Sequence, residues 1–382
     1  MGSPQVMFVG VFGTLVSLPS AAQLGPTLPP CISAPGGTPR VADVTIPQQG
    51  GGTLTAKVFA PDASLQVAPC PCISMLPGGG AGISSVEWAA NQLARNGYIV
   101  IITLPASGGS VASYNTAAKS GIDFLQSASN PFRAGTDITR LGGAGWSLGA
   151  RALTRTQDED PRLDAIVAWD NLAVSETGDA GSPQTNCNSV PNPIRTPRVP
   201  ALGQASDNTC AQNGIDAKKT AWTWWRKNNI PAYEIVFASS NHFWWSGSAS
   251  TTQTAVASYY TLAWFDRWLK NDPSARARLM DITPSSAAPN IAWSSSWSVL
   301  LSPTFRSAAF FDGIDCPDLR AGCSFCAADF SGDRIVDDAD FVIFATAYEN
   351  LFDLTGDLNA DGVTDDTDFV TFATSYNALL CP

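Results

Sequence analysis

The chain has 382 residues, 45% of them hydrophobic and 14% charged, which is ample for a full core and more than one domain and rules out a disordered polymer. Its net charge of −11 is confined to residues 326–382, where twelve acidic side chains face one basic residue, Arg334; the rest holds twenty-one of each sign. A neutral body with an acidic end excludes a nucleic-acid binder, which needs a basic footprint, and points to a cation as partner.

Residues 6–22 are apolar and close on Ser20-Ala21-Ala22, the pattern of a secretory signal segment over residues 1–25, although a basic start is missing. Nine cysteines, at 31, 70, 72, 187, 210, 316, 323, 326 and 381, fit the same oxidising, secreted or cell-surface setting. Cys323-x-x-Cys326 reads as disulfide chemistry because the chain has one histidine and no thioredoxin-like context around it. The odd count leaves at least one thiol free or paired between chains. No other stretch is long enough to span a membrane.

Residues 44–46 and 53–59, around Gly50-Gly51-Gly52, read as a hairpin. Residues 72–76 form a buried strand entering Pro77-Gly78-Gly79-Gly80, and Ser84-x-x-Glu87 reads as a capping box that opens a helix to Asn96, stopped by Gly97. The β-branched run 98–104 predicts a strand covered on both faces. A helix near 120–127 leads to a strand at 141–144; 165–169, 201–205 and 233–238 supply further buried strands before a long helix over 251–271. Strands alternating with helices predict an α/β fold, a mostly parallel sheet covered by helices, with ligands at the carboxyl ends of its strands.

Gly145-Trp146-Ser147-Leu148-Gly149 reads as a nucleophile elbow between the strand at 141–144 and a helix. Such a corner pushes the Ser147 hydroxyl out and presents the N–H of Leu148 to an oxyanion. A serine nucleophile needs a base, and His242, the chain's sole imidazole, lies four residues after the last strand. Two aspartates follow strands between them. Asp207, one strand before the histidine, holds the usual place for the acid and is preferred; Asp170 is the alternative. The second oxyanion donor is expected from the Gly78-Gly79-Gly80 loop. Trp146, Trp169, Phe243 and Trp244 flank these positions and predict an aromatic-walled cleft for an ester substrate.

Residues 40–270 resemble the secreted α/β-hydrolases grouped around dienelactone hydrolase, cutinases and polyester (PET) hydrolases. The resemblance rests on Leu76-Pro77-Gly78, the Trp88 helix with Leu93-Ala94-Arg95-Asn96-Gly97-Tyr98, the elbow, Trp169-Asp170, Val199-Pro200-Ala201-Leu202 leading to Asp207, and His242. It implies an α/β-hydrolase catalytic domain over 27–310, a triad of Ser147, Asp207 and His242, and an oxyanion hole from the N–H groups of Gly79 and Leu148. By the same resemblance Trp169 faces substrate with Asp170 as its neighbour, and catalysis needs no cofactor. Gly79 stands where polyester hydrolases carry an aromatic residue. The stretches 170–207 and 207–242 are long and hold Cys187 and Cys210 as a candidate pair. The expected activity is carboxylic ester hydrolysis through an acyl-enzyme, on apolar, aromatic or polymeric esters. An amidase or lipase on the same fold, or a catalytically silent surface-docking protein, are the alternatives.

After a linker at 311–325, residues 326–382 repeat with a period of 28: Asp329-Phe-Ser-Gly-Asp333 to Asp340 and Asp357-Leu-Asn-Ala-Asp361 to Asp368. Each is a 12-residue loop followed by a helix. Oxygen ligands fall at Asp329, Ser331, Asp333, Asp337 and Asp340, and at Asp357, Asn359, Asp361, Asp365 and Asp368, with the backbone carbonyls of Ile335 and Val363 at position 7. That spacing wraps a hard cation in oxygens and predicts Ca²⁺. The loops resemble type I dockerin repeats, which implies a cohesin or other cell-surface partner. Gly362 occupies the sixth position of the second loop and Arg334 that of the first. Cys326 and Cys381 flank the repeats as a candidate pair.

Overall fold

Apolar alternation starts the sheet: β1 (Arg40–Pro47) and β2 (Thr53–Ala60) pair antiparallel, and Gly50, Gly51 and Gly52 between them all take positive φ. β3 (Cys70–Leu76) and β4 (Ile99–Thr103) are buried at every position, as expected for strands covered on both faces. β5 (Thr136–Trp146), β6 (Ala165–Trp169), β7 (Ala201–Ser206) and β8 (Ala232–Phe237) extend them. The sheet closes with β9 (Ala308–Phe311) and β10 (Ile314–Cys316). The order is β1-β2-β4-β3-β5-β6-β7-β8-β9-β10. β4, β3, β5, β6, β7 and β8 run parallel, and both edges are antiparallel. The mixed α/β arrangement is consistent with the α/β-hydrolase fold. The computed structural model describes residues 27–106, 109–170, 172–173, 195–208, 214–282, 301–321, 328–330, 336–349, 356, 358 and 363–378.

Helices cover the two faces. α1 (Glu87–Arg95) and α5 (Thr251–Leu269) contribute to one apolar cluster, with Leu93, Tyr260 and Phe265 against Ile73 and Val167. α2 (Val111–Gln126), α3 (Leu148–Glu159) and α4 (Thr220–Lys227) contribute to the other, with Ile122, Leu153 and Trp225 against Ile101 and Ile166. Burial of this many large side chains, each stabilising by roughly 1.5–3 kcal/mol, holds the strand ends in register. A short α6 (Ala275–Met280) precedes the last strands; α7 (Asp338–Tyr348) and α8 (Asp366–Ala378) follow them. Among the described residues no helix is long and apolar enough to cross a membrane.

Several expectations change. Ser84 and Glu87 form no capping box: α1 starts at Val86 without a side-chain cap, and Glu87 instead meets Lys57 Nζ on β2 at 2.6 Å. A charge-assisted contact outcompetes a backbone N–H for that carboxylate. α2 begins well before residue 120, capped by the Ser110 hydroxyl, which accepts from the Ser113 N–H. β9 and β10 carry the sheet to Cys316, into the span 311–325 expected to be a linker. The signal-like segment 1–25 and Cys187, Cys210, Cys323, Cys326 and Cys381 lie outside the described residues.

A disulfide joins Cys31 to Cys70 across a separation of 39 residues. Cys316 is also disulfide-bonded. Cys72 is a free, buried thiol whose pKa burial pushes up to about 12, so it is an inert core residue. The Cys31–Cys70 link shortens the unfolded chain's freedom. Replacing both cysteines by alanine should lower unfolding stability by about 2–4 kcal/mol. Urea titration checks this, and an unchanged midpoint refutes it.

Candidate active site

The elbow is built from close approaches. A Cβ on Gly145 would lie 2.7 Å from the Gly149 carbonyl carbon, and one on Gly149 would lie 2.6 Å from the Pro77 carbonyl oxygen. Only glycine allows the strand, the helix start and the preceding loop to touch here. Between them Ser147 takes φ 56 and ψ −115, a conformation that side chains disfavour and that functional sites retain. Its N–H donates to the Trp169 carbonyl at 2.8 Å, which ties the elbow to the end of β6.

The histidine loop lies over the elbow. Asn241 accepts from the Phe243 N–H and caps a 3₁₀ turn, His242–Trp245. The Trp146 indole N–H donates to the His242 carbonyl at 2.9 Å, and the two rings are 5.4 Å apart. The imidazole is 14% exposed, and its Nδ1 meets Asp170 Oδ2 at 2.6 Å.

The preference for Asp207 as the partner of His242 is therefore corrected: the carboxylate on the imidazole is Asp170. Asp170 follows β6 at φ 45, its N–H bound to the Gln204 carbonyl, and this left-handed turn aims its side chain along the sheet rim. Its other oxygen accepts from both the N–H and the hydroxyl of Ser206, each at 2.9 Å. Burial pushes the Asp170 pKa up, but the His242 hydrogen bond, the buried Lys218 charge and the Ser206 N–H bring it below the usual carboxylate range. Asp207 turns to the loop's start, accepting the Ser239 N–H at 3.0 Å and the Ser240 N–H at 3.2 Å. Ser206 and Lys218 had no signal in the sequence: one ends a strand, the other sits on a 3₁₀ turn, Ala217–Lys219.

A Cβ on Gly79 would stand 3.5 Å from Leu148 Cβ, so the glycine loop and the first residue of α3 are neighbours. The aromatic wall is mostly core. Trp169 is fully buried, donates to Thr261 Oγ1 and packs on Trp88, while Trp244 is buried and stacks on Phe237. The substrate-facing expectation is corrected for both, because their rings fill the space between the sheet and α1 or α5. Trp146 is buried as well, and Phe243 alone of the four is open, at 56% exposure.

At the acidic end, Asp340 and Asp368 are fully buried and Asp329 nearly so. Asp340 accepts the Asp337 N–H; Asp368 accepts the N–H groups of Asp365 and Leu358. The two repeats interlock: the Tyr348 hydroxyl bonds Asp366 and the Tyr376 hydroxyl bonds Asp338, while Phe344 stacks on Phe372 at 4.9 Å. Val363 is half-buried, and Ser331, Asp333, Ile335, Asp357, Asn359 and Asp361 lie outside the described residues. Among the described residues no three His, Cys, Asp or Glu side chains converge to hold a metal.

Together, an elbow serine, an imidazole and a buried carboxylate at one rim of a mostly parallel sheet have the makeup of an α/β-hydrolase site. In agreement, a family model described as PET hydrolase-like (PETase) matches residues 19–178. The match includes Ser147 and Asp170 and stops before His242. It supports an ester hydrolase of the α/β-hydrolase type. A search of curated proteins finds no match.

Proposed function

We propose that the protein is a secreted serine carboxylic ester hydrolase. The observation that carries this is the strained Ser147 beside Trp146, whose indole holds the loop of a histidine that is itself oriented by a buried carboxylate. Ser147 Oγ attacks the ester carbonyl while His242 Nε2 takes its proton. The N–H groups of Gly79 and Leu148 hold the tetrahedral oxyanion. His242 then protonates the leaving alcohol, and the acyl-enzyme is hydrolysed by water activated in the same way. Asp170 keeps the imidazole in the tautomer with Nδ1–H. Exposed Phe243 beside His242 offers an apolar face suited to apolar or aromatic acyl groups, polyester units among them. The disulfides fit an extracellular location. Purified protein should hydrolyse p-nitrophenyl butyrate at about 1–1000 turnovers per second; no turnover on short-chain esters or a polyester film would overturn the reading.

The acidic end is read as a calcium-binding docking module for a cohesin or other surface partner. Buried Asp329, Asp340 and Asp368 in a segment with one basic residue fit an oxygen-ligated cation. Bound Ca²⁺ would neutralise these carboxylates and let the repeats pack. Calorimetric titration of the chelator-treated protein should give a Kd of about 10⁻⁷–10⁻⁴ M, and Asp340→Ala with Asp368→Ala should abolish the heat. Absence of heat in the unmodified protein removes calcium from the reading.

A further inference from the structure

Tyr114 stands on α2 behind the glycine loop, 1% exposed. Its hydroxyl donates a 2.7 Å hydrogen bond to the Gly78 carbonyl, which also accepts the Ala81 N–H at 3.0 Å. Burial raises the phenol pKa, and the neighbouring Gly80 backbone opposes the rise. The phenol therefore holds the peptide unit between Gly78 and Gly79. A Cβ on Gly78 would lie 2.6 Å from Trp146 Cε3, so the loop backbone passes close against that indole.

Three consecutive glycines leave the peptide planes of this loop free to rotate at little steric cost. In a planar trans peptide the carbonyl and the following N–H point in opposite directions. Anchoring the Gly78 carbonyl toward α2 therefore turns the Gly79 N–H away from α2. A flipped peptide would instead present a carbonyl dipole to the developing oxyanion and repel it. We propose that Tyr114 is a positioning residue of the oxyanion hole, holding the Gly78–Gly79 peptide so that the Gly79 N–H meets the ester oxygen. This rests on the esterase reading above.

Tyr114→Phe removes one oxygen and leaves the Gly78 carbonyl satisfied by Ala81. On p-nitrophenyl butyrate its kcat should fall about 10- to 100-fold, less than the loss of an entire oxyanion donor, with KM moved less than about twofold. Affinity for butaneboronic acid, which forms a tetrahedral adduct on the serine, should weaken by about the same factor as kcat/KM. A purely structural role would lower the melting temperature and leave boronate affinity of the folded enzyme unchanged. Tyr114→p-aminophenylalanine, with a weaker donor of the same size, should give a smaller loss and serves if the Phe variant does not fold. Wild-type kcat and boronate affinity in the folded variant, or a fall in kcat alone, overturns the assignment. If the unmodified enzyme neither hydrolyses the ester nor binds the boronate, the esterase reading itself has failed.

Discussion

Ser147→Ala is expected to lower kcat for p-nitrophenyl butyrate by about 10⁵–10⁶-fold, with KM moved less than about threefold. The substitution removes only Oγ. Alanine keeps the Cβ, so the backbone at φ 56 bears the same strain, and the N–H contact to Trp169 is untouched. The His242–Asp170 pair and the donors of Gly79 and Leu148 also remain, which leaves a small residual rate from oxyanion stabilisation of attacking water. A spectrophotometric assay at neutral pH, with circular dichroism to confirm the fold, suffices. Retention of more than about a hundredth of the wild-type kcat would move the nucleophile elsewhere.

Asp170→Asn and Asp207→Asn should separate sharply. The first is expected to reduce kcat about 10⁴-fold: an amide at 2.6 Å from Nδ1 offers a donor, which drives the imidazole into the tautomer that cannot accept the serine proton. The second should cost less than about tenfold, since an asparagine oxygen still accepts one of the two N–H groups that Asp207 holds on the histidine loop. The depressed pKa of Asp170 has a further consequence. Its carboxylate stays ionised through the neutral range, so the stability it contributes is present above its unfolded pKa and is lost only as pH falls through the lower folded value. Equal losses in the two variants, or a larger one in Asp207→Asn, would restore Asp207 as the acid.

The elements were legible where one signal dominated. A nearly continuous β-branched run announced β4, and glycine spacing announced the elbow. Capping was less legible, because Glu87 had two possible partners and the stronger, Lys57, lies 30 residues earlier, on β2. The beginning of α2 was lost for a similar reason: polar residues face solvent on one side, and the buried side, with Tyr114 and Ala117, is recognised only against the sheet. The aromatic residues next to the site were overread. Proximity in sequence says which strand end a ring follows, not which face it takes, and the face decides that Trp169 is core while Phe243 is open.

The amino-acid sequence by itself determined an alternating α/β chain with a serine at a glycine-flanked corner and one imidazole to serve it. It also marked an acidic repeat of period 28 at the far end. These are local patterns, set by backbone sterics and by the scarcity of a residue type. Which carboxylate meets the imidazole was decided by the tertiary structure alone. Asp170 and Asp207 both leave neighbouring parallel strands at the same rim, and chain order ranks them without measuring distance. The left-handed turn at Asp170 and the two Ser206 donors aim one at His242, while backbone N–H groups of the loop hold the other.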